Sequence, residues 1–267
     1  MFLTKKSFIK ALIMAICYFL LGSTCIALFL FFDRMDISSG DLLTMGIILY
    51  LLSIPVFFLG RYVESTGKLI NLGNKLVRKK LKPAEFICHY ESLRNSEGLI
   101  LGKPSVEVLQ LVATSYDMLG DDEKALATVD EMIFVASEKK KNLAKLFKVS
   151  YLFSYGRTEE AEELFNEVQQ QKLDMMSYSL VDTILKGDRA MARGDYKTVE
   201  MNGLKLLERS VPKLDNLGKL VVHYGLGEVY EKLQDNENAM IHYQYCADFG
   251  GETAMKQSAI EKLQYLK

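Results

Sequence analysis

Apolar and polar residues are distributed along this chain in two regimes. From Ala11 to Phe32 (ALIMAICYFLLGSTCIALFLFF) 22 residues pass without a charge, and Leu42 to Gly60 adds 19 more. As helices they would reach about 33 Å and about 28 Å, against a bilayer hydrocarbon core of about 30 Å. The pattern predicts two membrane spans, joined by the short polar loop DRMDISSGD into an antiparallel hairpin. Pro55 lies in the second span, where a kink or a neighbouring helix can resatisfy the freed carbonyl. Lys5, Lys6 and Lys10 precede the first span, and Arg61, Lys68, Lys75, Arg78, Lys79, Lys80 and Lys82 follow the second. The loop holds only Arg34 beside Asp33, Asp36 and Asp41, so both termini are expected to be cytoplasmic. A cleaved signal peptide would have a shorter apolar core and no second span. LLGSTC faintly echoes a lipoprotein signal, but Thr24 precedes the cysteine where a small Gly or Ala is wanted.

Beyond the second run the apolar residues follow helical spacing, and one phrase recurs. YDMLGDDEKAL, LFSYGRTEEAEEL, AMARGDYKTVEM and YEKLQDNENAMIHY align on Gly120, Gly156, Gly194 and Gln234, at spacings of 36, 38 and 40 residues. Ala125, Ala161, Val199 and Ala239 follow five residues later, then Val129, Phe165, Gly203 and Tyr243. Tyr116, Leu152, Ala190 and Tyr230 stand four before each turn. The reading is a helix ended by a residue in the left-handed region. Asp121, Asp195 or Asp235 then caps a second helix. The small residue one turn in lets the pair approach closely. A hairpin of this kind cannot bury its apolar face alone, but stacked neighbours can.

The phrase resembles the tetratricopeptide repeat, whose pattern runs roughly Leu-Gly-x-x-Tyr-x-x-x-Gly-Asp-Tyr-x-x-Ala and then an aromatic. LGEVYEKLQDNENAMIHY is most similar, with Gln234 at the turn; ATSYDMLGDDEKAL is also close. ARGDYKTV has Val199 for Ala, and SYGRTEEAEELF has Arg157 for Asp. The resemblance covers roughly Ser105 to Gly251. The expected fold is therefore all-α: a transmembrane hairpin over 1–60, a basic juxtamembrane region over 61–104, four repeats over 105–251 and a capping helix over 252–267. Leu69, Ile70, Leu72, Leu76, Val77 and Leu81 form a helical stripe, and Pro83 can open the next helix. That pair can be a degenerate first repeat. GLILGKPS reads as a loop, and EKKKN, Glu138 to Asn142, as a solvated turn between repeats.

Charge divides the chain in the same place. Residues 1–104 carry a net +6 and residues 105–267 a net −7. VRKKLK therefore reads as a contact for anionic lipid headgroups or a topology determinant, and not as a nucleic-acid site. The lipid candidates are Arg61, Lys68, Lys75, Arg78, Lys79, Lys80 and Lys82. Four cysteines, Cys17, Cys25, Cys88 and Cys246, have no paired spacing and read as isolated thiols in lipid or core. No zinc-protease, phosphate-loop, serine-elbow or calcium-loop motif occurs, and the two glycines of YGLGEVY follow no strand. His223 and His242 lie on adjacent helices and can approach. Without a third ligand they read as surface or edge residues. No cofactor or metal is expected.

Members of the resembled family bind protein segments in a groove lined by the first helix of each hairpin. Carried over, that groove comprises Gln110, Thr114, Asp117, Leu146, Ser150, Phe153, Ile184, Asp188, Met191, Tyr224, Glu228 and Glu231. Chaperone-binding members clamp a C-terminal carboxylate with Asn and Lys. Thr114, Ser150, Asp188 and Glu228 stand at such positions here, so that ligand is not expected. The expected function is a membrane-tethered protein–protein adaptor or scaffold, in a bacterial cell membrane, whose partner is an unidentified protein or peptide. A ligand-responsive membrane sensor is the alternative, and no residue constellation argues for an enzyme.

Overall fold

The computed structural model describes residues 13, 16, 66–96, 104–169, 185–208 and 213–266. Both expected membrane spans fall outside the described residues, apart from Ile13 and Ile16. Among the described residues no helix is long and apolar enough to cross a membrane. The chain divides into two compact units. One holds Ile70–Tyr90 and Pro104–Lys267, and the other Met1–Leu69 and Glu91–Lys103. The contacts below lie within the first.

Among the described residues the regular structure is all helical, with no strand. In chain order they form α1 (66–79), α2 (Pro83–Ser96), α3 (Val106–Met118), α4 (Asp122–Val135), α5 (Glu138–Ser154) and α6 (Thr158–Gln169). They continue with α7 (185–192), α8 (Tyr196–Glu208), α9 (Asn216–Lys232), α10 (Asn236–Phe249) and α11 (Ala254–Leu266). Helices α3 and α4, α5 and α6, and α9 and α10 pack as antiparallel pairs, and α11 packs on α10.

The turns explain why the phrase repeats. Gly120, Gly156 and Gly194 have φ of +74°, +73° and +71°, and Gln234 takes the same conformation at +61°. Each turn closes with the same two backbone bonds. Asp121 N–H donates to Tyr116 O at 2.9 Å, Arg157 to Leu152 at 2.8 Å, Asp195 to Ala190 at 2.8 Å and Asp235 to Tyr230 at 2.9 Å. The left-handed residue itself donates to the carbonyl three before it in every case. This is the Schellman closure, which satisfies carbonyls a helix end would otherwise strand. Asp121, Asp195 and Asp235 then accept from the backbone N–H of Lys124, Thr198 and Asn238. Arg157, where the pattern wants Asp, binds Glu160 with both Nε and Nη2 instead.

Ala125, Ala161 and Ala239 are fully buried, as are Val129 and Tyr243, with Phe165 nearly so. The third hairpin departs from the rule. Val199 is half-buried and Gly203 replaces the large residue. Leu226 of α9 fills that gap, its Cδ2 lying 2.9 Å from where a Cβ on Gly203 would stand. On the N-terminal side Pro83 opens α2 as the sequence predicts. Leu76, Val77, Leu81, Phe86 and Tyr90 are buried, and Gly73 lets α1 approach Phe86 and Leu111. At the other end Thr253 caps α11, which buries Ala259 and Leu263.

Glu138–Asn142 is not a loop but the first turn of α5. Ser137 sits at its N-terminus, its carbonyl accepting from Lys140 and Lys141, and Glu138 suits the positive end of the helix. Lys140 reaches back to Glu107 of α3, and Lys141 to Glu138. Cys88 is exposed, contrary to the expectation of a core or lipid thiol; Cys246 is buried.

Candidate functional site

The candidate site is the face shared by the first helices of successive hairpins, α3, α5, α7 and α9. On an α-helix, residues three or four apart share a face, so Thr114 with Asp117 on α3, and Tyr151 of α5 with Tyr155 at its C-cap, are brought side by side. Thr114 Oγ1 lies 3.2 Å from the Tyr151 hydroxyl, and the Tyr155 hydroxyl donates to Asp117 at 2.8 Å. Ser150 Oγ donates to Asp188 of α7 at 2.6 Å. These bonds span 37, 38 and 38 residues, one repeat period each, so they form rungs between neighbouring first helices. The Tyr151 and Tyr155 rings stack with centroids 6.0 Å apart.

The electrostatics follow from burial. Removal from water pushes the Asp117 carboxyl up to about 6, and the nearby Asp122 charge adds to this against the opposing bond from Tyr155. Asp188 is likewise pushed up to about 6 by burial, with the Asp117 charge reinforcing it and the Ser150 bond opposing. Burial and the Asp117 charge hold both tyrosine hydroxyls well above the ordinary phenol range. Among the described residues the hydrogen-bond partners of the two carboxylates are hydroxyls. The face therefore presents half-buried negative charge that a cation or hydrogen-bond donor would relieve.

The same logic continues at the C-terminal end, where α11 stands in the place of a further first helix. The hydroxyls of Tyr224 and Ser258 lie 2.8 Å apart. Lys262 Nζ meets both oxygens of Glu231 at 2.8 and 2.9 Å, and Tyr243 donates to the same carboxylate. Burial works to raise Glu231, but the bonds from Lys262 and Tyr243 outweigh it and hold the carboxyl below its usual range. The half-buried Glu228 beside them is pushed up by its removal from water. A shallow pocket of about 210 Å³ opens between Glu231, Ser258, Lys262 and Tyr265.

Of the twelve residues expected to line a groove, Thr114, Asp117, Ser150, Asp188, Tyr224 and Glu231 are rung residues, and Gln110, Met191 and Glu228 are half-buried on the same helices. Ile184 lies outside the described residues. Leu146 and Phe153 do not belong to the groove: they are 1% and 7% exposed, in one cluster with Leu152, Ala161, Phe165 and Val168. Lys145 and Lys148 of the same helix are only partly exposed and reach Glu167 and Asp130 at 2.6 and 2.7 Å. Long lysine stems cover apolar surface while their charge finds an acid. Sequence reasoning missed Tyr151 and Tyr155, although an i, i+4 tyrosine pair on a first helix was visible. It also missed a bidentate Arg189–Glu162 pair between α7 and α6, joined by Arg193, with Arg189 4.4 Å above the Phe165 ring.

His223 and His242 do meet, Nδ1 to Nδ1 at 2.9 Å, but not as surface residues. His242 is buried, its ring parallel to Tyr230, while Tyr245 stacks on His223 at 3.8 Å. Burial pushes His223 down to about 4, with the His242 and Lys219 charges adding to it, and lowers His242 as well. Among the described residues no three His, Cys, Asp or Glu side chains are placed to hold a metal ion.

Of the lipid candidates, Arg61 lies outside the described residues, and Lys68, Lys75, Lys79 and Lys80 are exposed. Arg78 and Lys82 are turned to the protein, Arg78 toward Asp215 and Lys82 toward Glu85 and Glu252. No family model matches the chain, and comparison with curated proteins and with solved structures finds no match either.

Proposed function

We propose that this chain is a membrane-tethered adaptor or scaffold, in which a helical solenoid of the tetratricopeptide kind is carried at the cytoplasmic face by a two-span hairpin. The observation that carries the reading is the row of rungs on the first-helix face. The turns, caps and small-residue contacts recur with the period of that family, and Asp117, Asp188, Glu228 and Glu231 place half-buried carboxyl groups among the polar side chains of its groove positions. Such a face suits a protein segment that brings hydrogen-bond donors or positive charge to Asp117 and Asp188. Among the described residues no constellation argues for a catalytic role. The membrane tether rests on the two uncharged runs and on the Lys and Arg bias around them.

The test is a pulldown of the full chain from detergent-solubilised membranes, beside the Asp188→Arg variant. A protein that co-purifies with the unaltered chain and is lost from the variant supports the adaptor. A small molecule retained on the chain, seen by native mass spectrometry with no protein bound, would favour a ligand-responsive sensor.

A further inference from the structure

The segment from Asn74 to Lys82 reaches the last repeat, and nothing in the repeat pattern requires it to. Helix α1 ends in a π-helical turn, Asn74–Lys79, with Lys80 N–H donating to Lys75 O at 3.0 Å and Lys82 N–H to Leu76 O at 2.8 Å. Leu81 follows at φ +54°, a left-handed backbone region that residues with a Cβ rarely adopt. Its surroundings come from the other end of the chain. Glu252 N–H donates to Leu81 O at 2.9 Å, and Gly251 backs so closely onto Leu81 that an added Cβ would lie 2.5 Å from its Cβ. Asn216 Nδ2 donates to Lys79 O at 2.6 Å. Two ion pairs complete the contact, Arg78 to Asp215 at 3.3 Å and Lys82 to Glu252 at 3.3 Å.

Leu76, Val77 and Leu81 anchor the segment by burial, whereas its charged part combines strain with weak bonds. The π turn and the positive φ are local costs of the kind found at switch regions. The ion pairs are solvent-facing, with side-chain exposures of 45% and 31% for the first and 43% and 53% for the second, a class that contributes little. Lys75, Lys79 and Lys80 meanwhile point outward. An anionic leaflet attracts each nearby basic residue at least as strongly as one exposed ion pair holds it. The five cations from Lys75 to Lys82 therefore gain more at such a surface than two of them gain from their ion pairs with Asp215 and Glu252.

We propose that this segment has two competing partners, the acidic groups Asp215 and Glu252 of the last repeat and the anionic headgroups of the adjoining membrane, so that anionic lipid withdraws Arg78 and Lys82 and loosens their hold on the last repeat. The proposal rests on the membrane-tethered reading above. Arg78 and Lys82 cannot serve both partners. Lys75, Lys79 and Lys80 face outward in the docked state, so attraction to lipid begins before the segment lets go.

The full chain is reconstituted into vesicles of phosphatidylcholine alone and of phosphatidylcholine with an equal part of phosphatidylglycerol, and amide hydrogen exchange is followed over 74–82 and 250–254. Exchange there is expected to be about tenfold faster in the anionic vesicles. The double variant Asp215→Asn with Glu252→Gln, in which Asn still caps α9, exchanges fast in both. The double variant Arg78→Gln with Lys82→Gln loses the dependence on lipid. Equal exchange of the unaltered chain in the two vesicle types overturns the proposal, as does an unchanged lipid dependence in the Arg78 and Lys82 variant. A chain that fails to float with either vesicle contradicts the membrane tether itself. Flotation with lipid-independent exchange removes the switch alone.

Discussion

Two glycines of α9, two residues apart, should respond to the same substitution with opposite signs. A methyl group on Gly227 would stand 2.7, 2.8 and 3.0 Å from Cε1, Cδ1 and Cζ of Tyr243. Carbon atoms pack at about 3.5–4.0 Å, so the ring must retreat by roughly 1 Å. It has little room: Tyr243 is fully buried, its hydroxyl is tied to Glu231 at 2.8 Å, and the Tyr224 ring lies edge-on at 5.8 Å. Overpacking costs about 1–3 kcal/mol, and stretching a hydrogen bond to a carboxylate adds about 1 kcal/mol. Alanine regains about 1 kcal/mol over glycine in a helix interior. Gly227→Ala should therefore lose about 1–3 kcal/mol. Around Gly225 an added Cβ meets no atom within 4 Å, so Gly225→Ala keeps only the helix gain and should stabilise by about 0.5–1 kcal/mol. Thermal melts followed by circular dichroism at 222 nm read the difference, at about 2–4 °C per kcal/mol for a domain of this size. Shifts of the same sign would mean that α9 and α10 do not cross at Gly227.

At the turns, Gly156→Ala should destabilise by about 1–2 kcal/mol through its backbone alone, since φ is +73° and an added Cβ meets nothing within 4 Å. Gln234→Gly should do the reverse by about 0.5–1 kcal/mol; melts in which both changes are neutral would refute the turn assignment. Asp117, pushed up to about 6 by burial, keeps its proton to higher pH folded than unfolded, where it titrates near 4. Its contribution to stability is therefore greatest below about pH 4 and declines as pH rises to about 6. Asp117→Asn should be more stable than the unaltered chain at pH 7, by on the order of 2 kcal/mol, and equal to it near pH 4; a pH-independent difference would contradict this. Ala161→Leu, in the core beside Phe165, should cost about 1–3 kcal/mol, whereas the exposed Glu163→Leu should change stability by less than about 0.5 kcal/mol. Equal melting temperatures would show the hairpin register to be wrong.

What could be read from the sequence was what backbone stereochemistry dictates. Gly120, Gly156 and Gly194 mark positions where φ must be positive, and their period located even Gln234, which lacks the glycine signal. The capping aspartates and buried alanines are equally local. Side-chain register along a long helix is not. Glu138–Asn142 reads as a solvated turn because Lys139, Lys140 and Lys141 are charged, while lysine is a good helix former. Groove positions carried over from the resembled family put Leu146 and Phe153 on the groove face, although both are buried. The pairing of Arg78 with Asp215 spans 137 residues and leaves no local pattern. Nor does the Nδ1 contact of the histidines, which depends on how two helices rotate about their axes.

The central claim is that the first-helix face of a membrane-tethered chain takes a protein segment. A photo-crosslinking amino acid at Ser150, compared with one at Glu163 on the exposed side of α6, tests it in intact cells after irradiation and isolation of membranes. The account predicts a discrete crosslinked product from position 150, sedimenting with membranes, and none from position 163. Equal crosslinking from both positions, or a chain found in the soluble fraction, would contradict it.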